Sequence, residues 1–160
     1  LTARTNQQSL SRIHECVLAV LAAKSFEQVI HTVTNDFAVL LDLDVVLLCV
    51  ETNDGKMRFP DTRGLAVLPA GKVERCLGIE NRLALRSDIT GDKHIFGSGA
   101  LLVRSEALVR LRISSATPPA LIAFGSRDPL RFDPGQSTEL VEFLTSVLEN
   151  VINTWLNVPR

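Results

Sequence analysis

The sequence predicts an α+β domain in which a central antiparallel sheet packs against helices. Three observations lead there. Apolar residues recur at helical spacing near the start and again over the last stretch, whereas the middle holds short runs that are continuously apolar or alternate. Asp54-Gly55 and Gly125-Ser126-Arg127-Asp128-Pro129 supply turn chemistry beside strand-like runs. Strands and helices do not follow the βαβ rhythm of a parallel sheet.

Each element follows from its own pattern. Leu10, Ile13, Val17, Val20 and Leu21 share one face and predict a helix over Gln7 to Ala23. Ser25 is placed to cap a second helix, which buries Phe26, Val29, Ile30, Val33, Phe37, Leu40 and Leu41 and ends near Asp42. Asp44 to Glu51 is Val- and Leu-rich without helical period, as a strand covered on both faces would be. Thr52-Asn53-Asp54-Gly55 predicts a hairpin into a strand over Lys56 to Phe59. The signals from Pro60 to Gly99 are weaker. Pro69 can open a short helix over Ala70 to Leu77 that Gly78 stops, Leu83 to Arg86 reads as a short strand, and Asp88 to Phe96 as a loop or one helical turn. Glu106 to Ile113 alternates Ala107, Val109, Leu111 and Ile113 with Leu108, Arg110 and Arg112, a half-buried strand with an arginine-bearing face. Ala120 to Gly125 is the next strand. Asp133 as cap and Pro134 at the first helical position predict a long helix to about Leu156, striped by Leu140, Leu144, Val147, Leu148, Val151, Ile152 and Trp155. A sheet between N-terminal helices and a long C-terminal helix favours a GAF-like plan over a PAS-like one. Residues 1–160 read as a single domain, with the first helix (1–24) able to join a dimerisation bundle.

At 160 residues the chain can bury a core without covalent staples. Its 46% apolar and 22% charged residues are those of a folded protein. The net charge of −1 sets up no global field that would recruit nucleic acid or a membrane. The charge is nonetheless uneven: residues 56–131 hold 13 Lys/Arg against 7 Asp/Glu, while residues 1–55 and 132–160 are acidic. Cys16, Cys49 and Cys76 are far apart, show no metal or redox spacing, and sit beside apolar residues, which suits reduced thiols in the cytoplasm. The run Val45-Val46-Leu47-Leu48-Cys49-Val50 is too short to span a bilayer, and no signal-peptide pattern is visible. The chain opens on Leu1 rather than Met, as expected if a segment precedes it.

The stretch Ala123-Phe124-Gly125-Ser126-Arg127-Asp128-Pro129-Leu130-Arg131-Phe132-Asp133-Pro134-Gly135, followed by Thr138 and Leu140, resembles the signature of the DUF484 family. Ile95-Phe96-Gly97 and Ser105 to Leu111 resemble that family's preceding blocks, although Arg110 stands where the pattern has proline. The resemblance implies a GAF-like fold, a cytoplasmic location and dimerisation through helices. It implies no activity, because none is established for the family. GAF-like domains in general bind small effectors between the sheet and the connections after its early strands, which here means Pro60 to Gly99.

Two segments are candidate anion sites. The basic middle offers Arg63, Arg75, Arg86 and His94, and arginine forks suit phosphate or carboxylate. The same residues also read as a solvated basic surface. Ser126, Arg127 and Arg131 can meet an anion beside the last helix, or simply shape the strand-to-helix corner with Phe132 as a staple. The histidines have no metal-ligand spacing, and Cys16, Cys49 and Cys76 offer no two thiols that meet. No phosphate loop, nucleophile elbow or zinc-protease helix appears. Leu10, Ile13, Val17, Val151 and Trp155 are the candidate dimer interface. The expectation is therefore a non-catalytic sensory or binding module, a homodimer open to a small anionic effector, without cofactor, metal, nucleic acid or membrane. The alternative is a purely structural interaction domain with a collapsed pocket, in which residues such as Leu65, Val67, Leu77, Ile79 and Phe96 fill the space.

Overall fold

The computed structural model describes residues 2–52 and 64–157, with side chains described from residue 7 onward. The first helix, α1 (Thr2–Leu21), turns Ile13, Cys16 and Val20 into the core at the predicted spacing. Ser25 caps the next helix as expected: its Oγ accepts from the Gln28 amide at 3.1 Å at the start of α2 (Phe26–His31). The helical run then widens through a π turn (Thr32–Asp36) before α3 (Phe37–Leu40). Thr34 Oγ1 donates to the Ile30 carbonyl at 2.8 Å and Asn35 Nδ2 to the His31 carbonyl at 3.1 Å. These side chains compete for the carbonyls of the regular ladder. Across the widened turn Val29, Ile30, Val33 and Phe37 are all fully buried. Asp42, at φ 56°, ends the run. The amide of Leu43 reaches back to the Ala38 carbonyl and that of Asp42 to the Val39 carbonyl, the paired bonds that close a helix C-terminus.

The sheet contains β1 (Val45–Glu51), β2 (Leu65–Leu68), β3 (Leu83–Arg86), β4 (Ser105–Leu111) and β5 (Ala120–Ser126) in the order β2-β1-β5-β4-β3. Four of its strands are antiparallel neighbours, with Val45 opposite Gly125, Ser105 opposite Ser126, and Arg86 opposite Glu106. The remaining edge departs from the all-antiparallel expectation, because β1 and β2 pair in parallel with Leu48 opposite Leu65. A parallel neighbour needs a crossover rather than a tight turn, and residues 52–64 are long enough to provide one. The expected Asp54-Gly55 turn and the strand over Lys56 to Phe59 lie outside the described residues.

Alternation divides the sheet into two covered faces. Val46, Leu48, Val50, Val109, Ile122 and Phe124 lie under α1, α2 and the long α6 (Glu139–Leu156). Cys49, Leu108, Leu121 and Ala123 face the other way, under α4 (Lys72–Leu77), α5 (Lys93–Phe96) and a 3-10 turn (Gly97–Leu102). The predicted half-buried β4 is in fact covered on both sides. The guanidinium of Arg110 donates to the carbonyls of Ile79 (2.7 Å) and Gly78, so the chain after α4 screens the arginine-bearing face.

The start of α6 also differs from expectation. Asp133 Oδ1 accepts from the Gly135 amide at 2.9 Å, and Gln136 Oε1 accepts from the Asp133 amide at 3.0 Å. These local bonds hold residues 133–136 in a turn where Asp133 and Pro134 would otherwise have opened the helix. The helix begins at Glu139 instead, so Phe132 does not sit just before the cap as a staple would, although it is buried in the core.

Candidate functional site

The face under α4 and α5 is where a GAF-like pocket was expected, and it is packed with side chains. Phe96, Leu77, Val73, Ile95 and Val103 are buried there against Leu108 and Leu121. The ring of Phe96 lies where two glycines leave room for it. A methyl group on Gly125 would stand 3.0 Å from Phe96 Cε1 and 2.7 Å from Val45 Cγ1. One on Gly91 would stand 3.1 Å from Phe96 Cδ2 and 2.7 Å from the Ala100 carbonyl oxygen. Both glycines are thus needed for close approach. Of the other residues proposed to fill the space, Val67 and Ile79 instead face solvent.

Charged groups on this face are paired with one another. Arg86 donates to Glu106 Oε2 at 2.8 Å and to the Cys76 carbonyl at 2.6 Å, which ties the last turn of α4 to the sheet. Lys72 Nζ meets Asp92 Oδ2 at 2.5 Å, and Asp92 caps α5 by accepting from the His94 amide at 2.8 Å. Glu51, buried at the end of β1, accepts from the amides of Gly71 (2.7 Å) and Val73 (3.0 Å), so the start of α4 already holds a carboxylate.

Burial holds the Glu106 carboxyl above its usual range, against the opposing pull of Arg86. Burial also pushes Asp92 up, but the hydrogen bonds and charges of Lys72 and His94 outweigh it and leave that carboxyl below its usual range. The two therefore carry opposite pH dependences. The contribution of Glu106 is complete below the unfolded glutamate pKa and is lost as pH rises through its raised value. That of Asp92 is present above the unfolded aspartate pKa and is lost as pH falls through its lowered value. Denaturant midpoints taken between about pH 3 and about pH 7 test this. Glu106→Gln should flatten the loss on the rising side, and Asp92→Asn the loss on the acid side. Slopes identical to the parent's would contradict the assignment.

Cys49 lies in this apolar cluster and Cys76 packs against it, and both are free. Burial pushes Cys49 up to about 12, with Cys76 adding to the effect, and burial raises Cys76 as well. Both are thiols rather than thiolates near neutral pH, which leaves them weak nucleophiles. Among the described residues no group of His, Cys, Asp and Glu has the arrangement of a metal site.

The basic middle of the chain also stitches the fold together elsewhere. Arg82 forks onto Glu149 of α6 at 2.7 and 3.1 Å and donates to the Arg110 carbonyl at 2.8 Å. Glu149 further accepts from the Arg112 amide at 2.5 Å. Asn153 Nδ2 donates to the Ile113 carbonyl at 2.9 Å. These bonds fix α6 to the end of β4. A cleft of about 670 Å³ opens beside them, between Glu51, the α4 start, the connection after β4 and Glu149. A second cleft of about 370 Å³ lies between α1, Leu41 and Leu43, residues 131–137 and the start of α6.

Of the anion-site candidates singled out from sequence, Arg131 lines the smaller cleft and the other described ones line neither. Arg63 lies outside the described residues. Arg75 and His94 are exposed, and Arg86 is held by Glu106. Ser126 is buried, its Oγ accepting from the Asp128 amide at 3.1 Å, and the Arg127 amide donates to Asp44 Oδ2 at 2.7 Å, so both belong to the corner itself. On the terminal helices, Leu10 and Trp155 are exposed and Val17 and Val151 half-buried, whereas Ile13 points into its own core and is not available to a partner. The reading from sequence missed Arg12, which lines the smaller cleft with Arg131. Its only signal was its place beside the inward-facing Ile13.

Comparisons with known proteins agree with this architecture. The model of a family described as "Protein of unknown function, DUF484" matches residues 1–157. Among solved structures, the chain is similar to the phycoerythrobilin-bound GAF domain from a cyanobacterial phytochrome, with a TM-score of 0.61 at 13% identity, over 95% of this chain and 98% of that one. At that identity the likeness establishes the fold. Comparison with curated proteins gave no match.

Proposed function

The chain belongs to the DUF484 family, and we propose that this member is a non-catalytic GAF-like module that works by association, pairing with a second copy through the outward faces of α1 and α6. One observation carries the reading. The two helices pack directly on each other, and each still presents apolar side chains to solvent. Leu18 and Leu21 are 65% and 61% exposed on α1, and Phe143 and Trp155 are 48% and 42% exposed on α6. Val17, Val147 and Val151 are half-buried. Large apolar side chains exposed on two helices that pack together suit an association surface. The packed face under α4 and α5 supports an interaction role over an effector pocket at that place. No described helix is long and apolar enough to cross a membrane. Free Cys16, Cys49 and Cys76 suit a reducing cytoplasm.

Trp155 is the only tryptophan in the chain and reports on the proposed surface. Its emission should shift to the red on dilution from about 100 μM to about 0.1 μM, as pairing is lost and water reaches the ring. Emission and iodide quenching that stay constant over that range, at the values of a Leu18→Glu variant, would overturn the pairing.

A further inference from the structure

The smaller cleft differs from the larger one in what its charges do. In the larger cleft Glu51, Arg110 and Glu149 are bonded within the chain, and Glu74 and Arg112 add one further charge of each sign. In the smaller one the Arg12 guanidinium makes no ion pair or hydrogen bond among the described residues, and the Arg131 guanidinium makes only a long bond to the Leu41 carbonyl, at 3.3 Å, and lies 5.0 Å from the centre of the Phe132 ring. No described carboxylate lies within ion-pair distance of either arginine, although Glu139 shares the rim. Burial lowers the pKa of Arg131 and the neighbouring charge of Arg12 lowers it further, while Asp42 and Asp128 pull the other way without outweighing them, so two like charges face one space with no described carboxylate at ion-pair distance. Beneath them the cleft is floored by Ile13, Phe124, Phe132 and Leu144, all buried core residues. Ser9 and Ser137 complete the polar rim.

We propose that this cleft binds a small organic anion, its apolar body on the Phe124–Phe132–Leu144 floor and its carboxylate or phosphate head between Arg12 and Arg131. The volume of about 370 Å³ is at the small end for ligand pockets and limits the body to a short chain or single ring. Arginine forks accept either head group in bidentate fashion, and a partly desolvated guanidinium bonds an anion more strongly than an exposed one. Such binding goes beyond association of the chain and does not depend on it, because the floor and both arginines come from one copy.

The test is a calorimetric titration of the full chain with octanoate, neutral octanol and inorganic phosphate, with the association state followed by sedimentation in the same buffers. Octanoate should bind saturably at one site per chain with a Kd of about millimolar or tighter. Octanol and phosphate should each bind at least about tenfold more weakly, since each lacks half of what the cleft recognises. Arg12→Gln should weaken octanoate by about tenfold. This variant keeps the fold, because Arg12 is exposed and bonds nothing in the described chain. Arg131→Lys should retain more affinity than Arg131→Gln. Absence of saturable octanoate binding, equal affinity for octanol, or an unchanged Kd in Arg12→Gln would each overturn the proposal. A change in sedimentation alone, without titration heat, would bear on pairing and would count against the cleft.

Discussion

Phe96→Ala should lower the unfolding free energy by about 3–5 kcal/mol, the cost of deleting a buried aromatic ring whose surroundings close only partly. The surroundings are poorly able to close. Gly125 and Gly91 border the ring, and neither has a side chain to move into the void. Val103 and Ile95 are already buried in the same cluster. The variant should therefore retain an apolar cavity and take up a small apolar probe such as benzene, which the parent should not. Urea unfolding with and without the probe gives both readouts. A loss below about 1 kcal/mol would mean that Phe96 does not fill this face.

Glu149→Ala should cost about 2–4 kcal/mol, toward the lower part of the range for breaking a buried pair because Arg82 and Glu149 retain partial exposure. One carboxylate takes both prongs of the Arg82 fork and the Arg112 amide. Removing it strands a guanidinium and a backbone donor at the joint between α6 and the sheet. Arg82→Ala should cost less, and the double variant should cost clearly less than the sum of the two. Additive losses in chemical denaturation would show that Glu149 and Arg82 act separately.

The elements that were legible in the sequence are those set by local pattern. The Ser25 cap, the doubly covered β1 and the short helix stopped by Gly78 appear as their residues suggest, and the stripe of α1 does so in part, with Ile13 and Val20 buried but Leu10 and Leu21 exposed. The differences arise where bonds between distant or competing groups decide. Asp133 and Gln136 prefer side-chain-to-backbone bonds, which delays α6 to Glu139. β1 and β2 pair in parallel, and no residue pattern within either strand distinguishes a parallel neighbour from an antiparallel one.

The candidate site was less legible for the same reason. Charge counting found the basic middle, but the partners that neutralise Arg86 and Arg82 stand far away in sequence. Glu106 lies 20 residues from Arg86, and Glu149 lies 67 residues from Arg82. Periodicity placed Ile13 on an apolar face without telling a core-facing position from a partner-facing one. Only the packing of α1 on α6 separates Ile13, at 4% exposure, from Leu18 and Leu21. The pairing of Arg12 with Arg131 likewise depends on the corner after β5 folding back beside α1.

Association through α1 and α6 is tested most directly by sedimentation velocity on the parent chain and on a Leu18→Glu/Trp155→Glu variant, both at about 50 μM. Leu18 and Trp155 are exposed, so glutamates there leave the core packing untouched. The parent should sediment at twice its 17.5 kDa chain mass, and the folded variant at the mass of one chain. A parent that sediments as a single chain, or a variant that remains a dimer, would contradict the account.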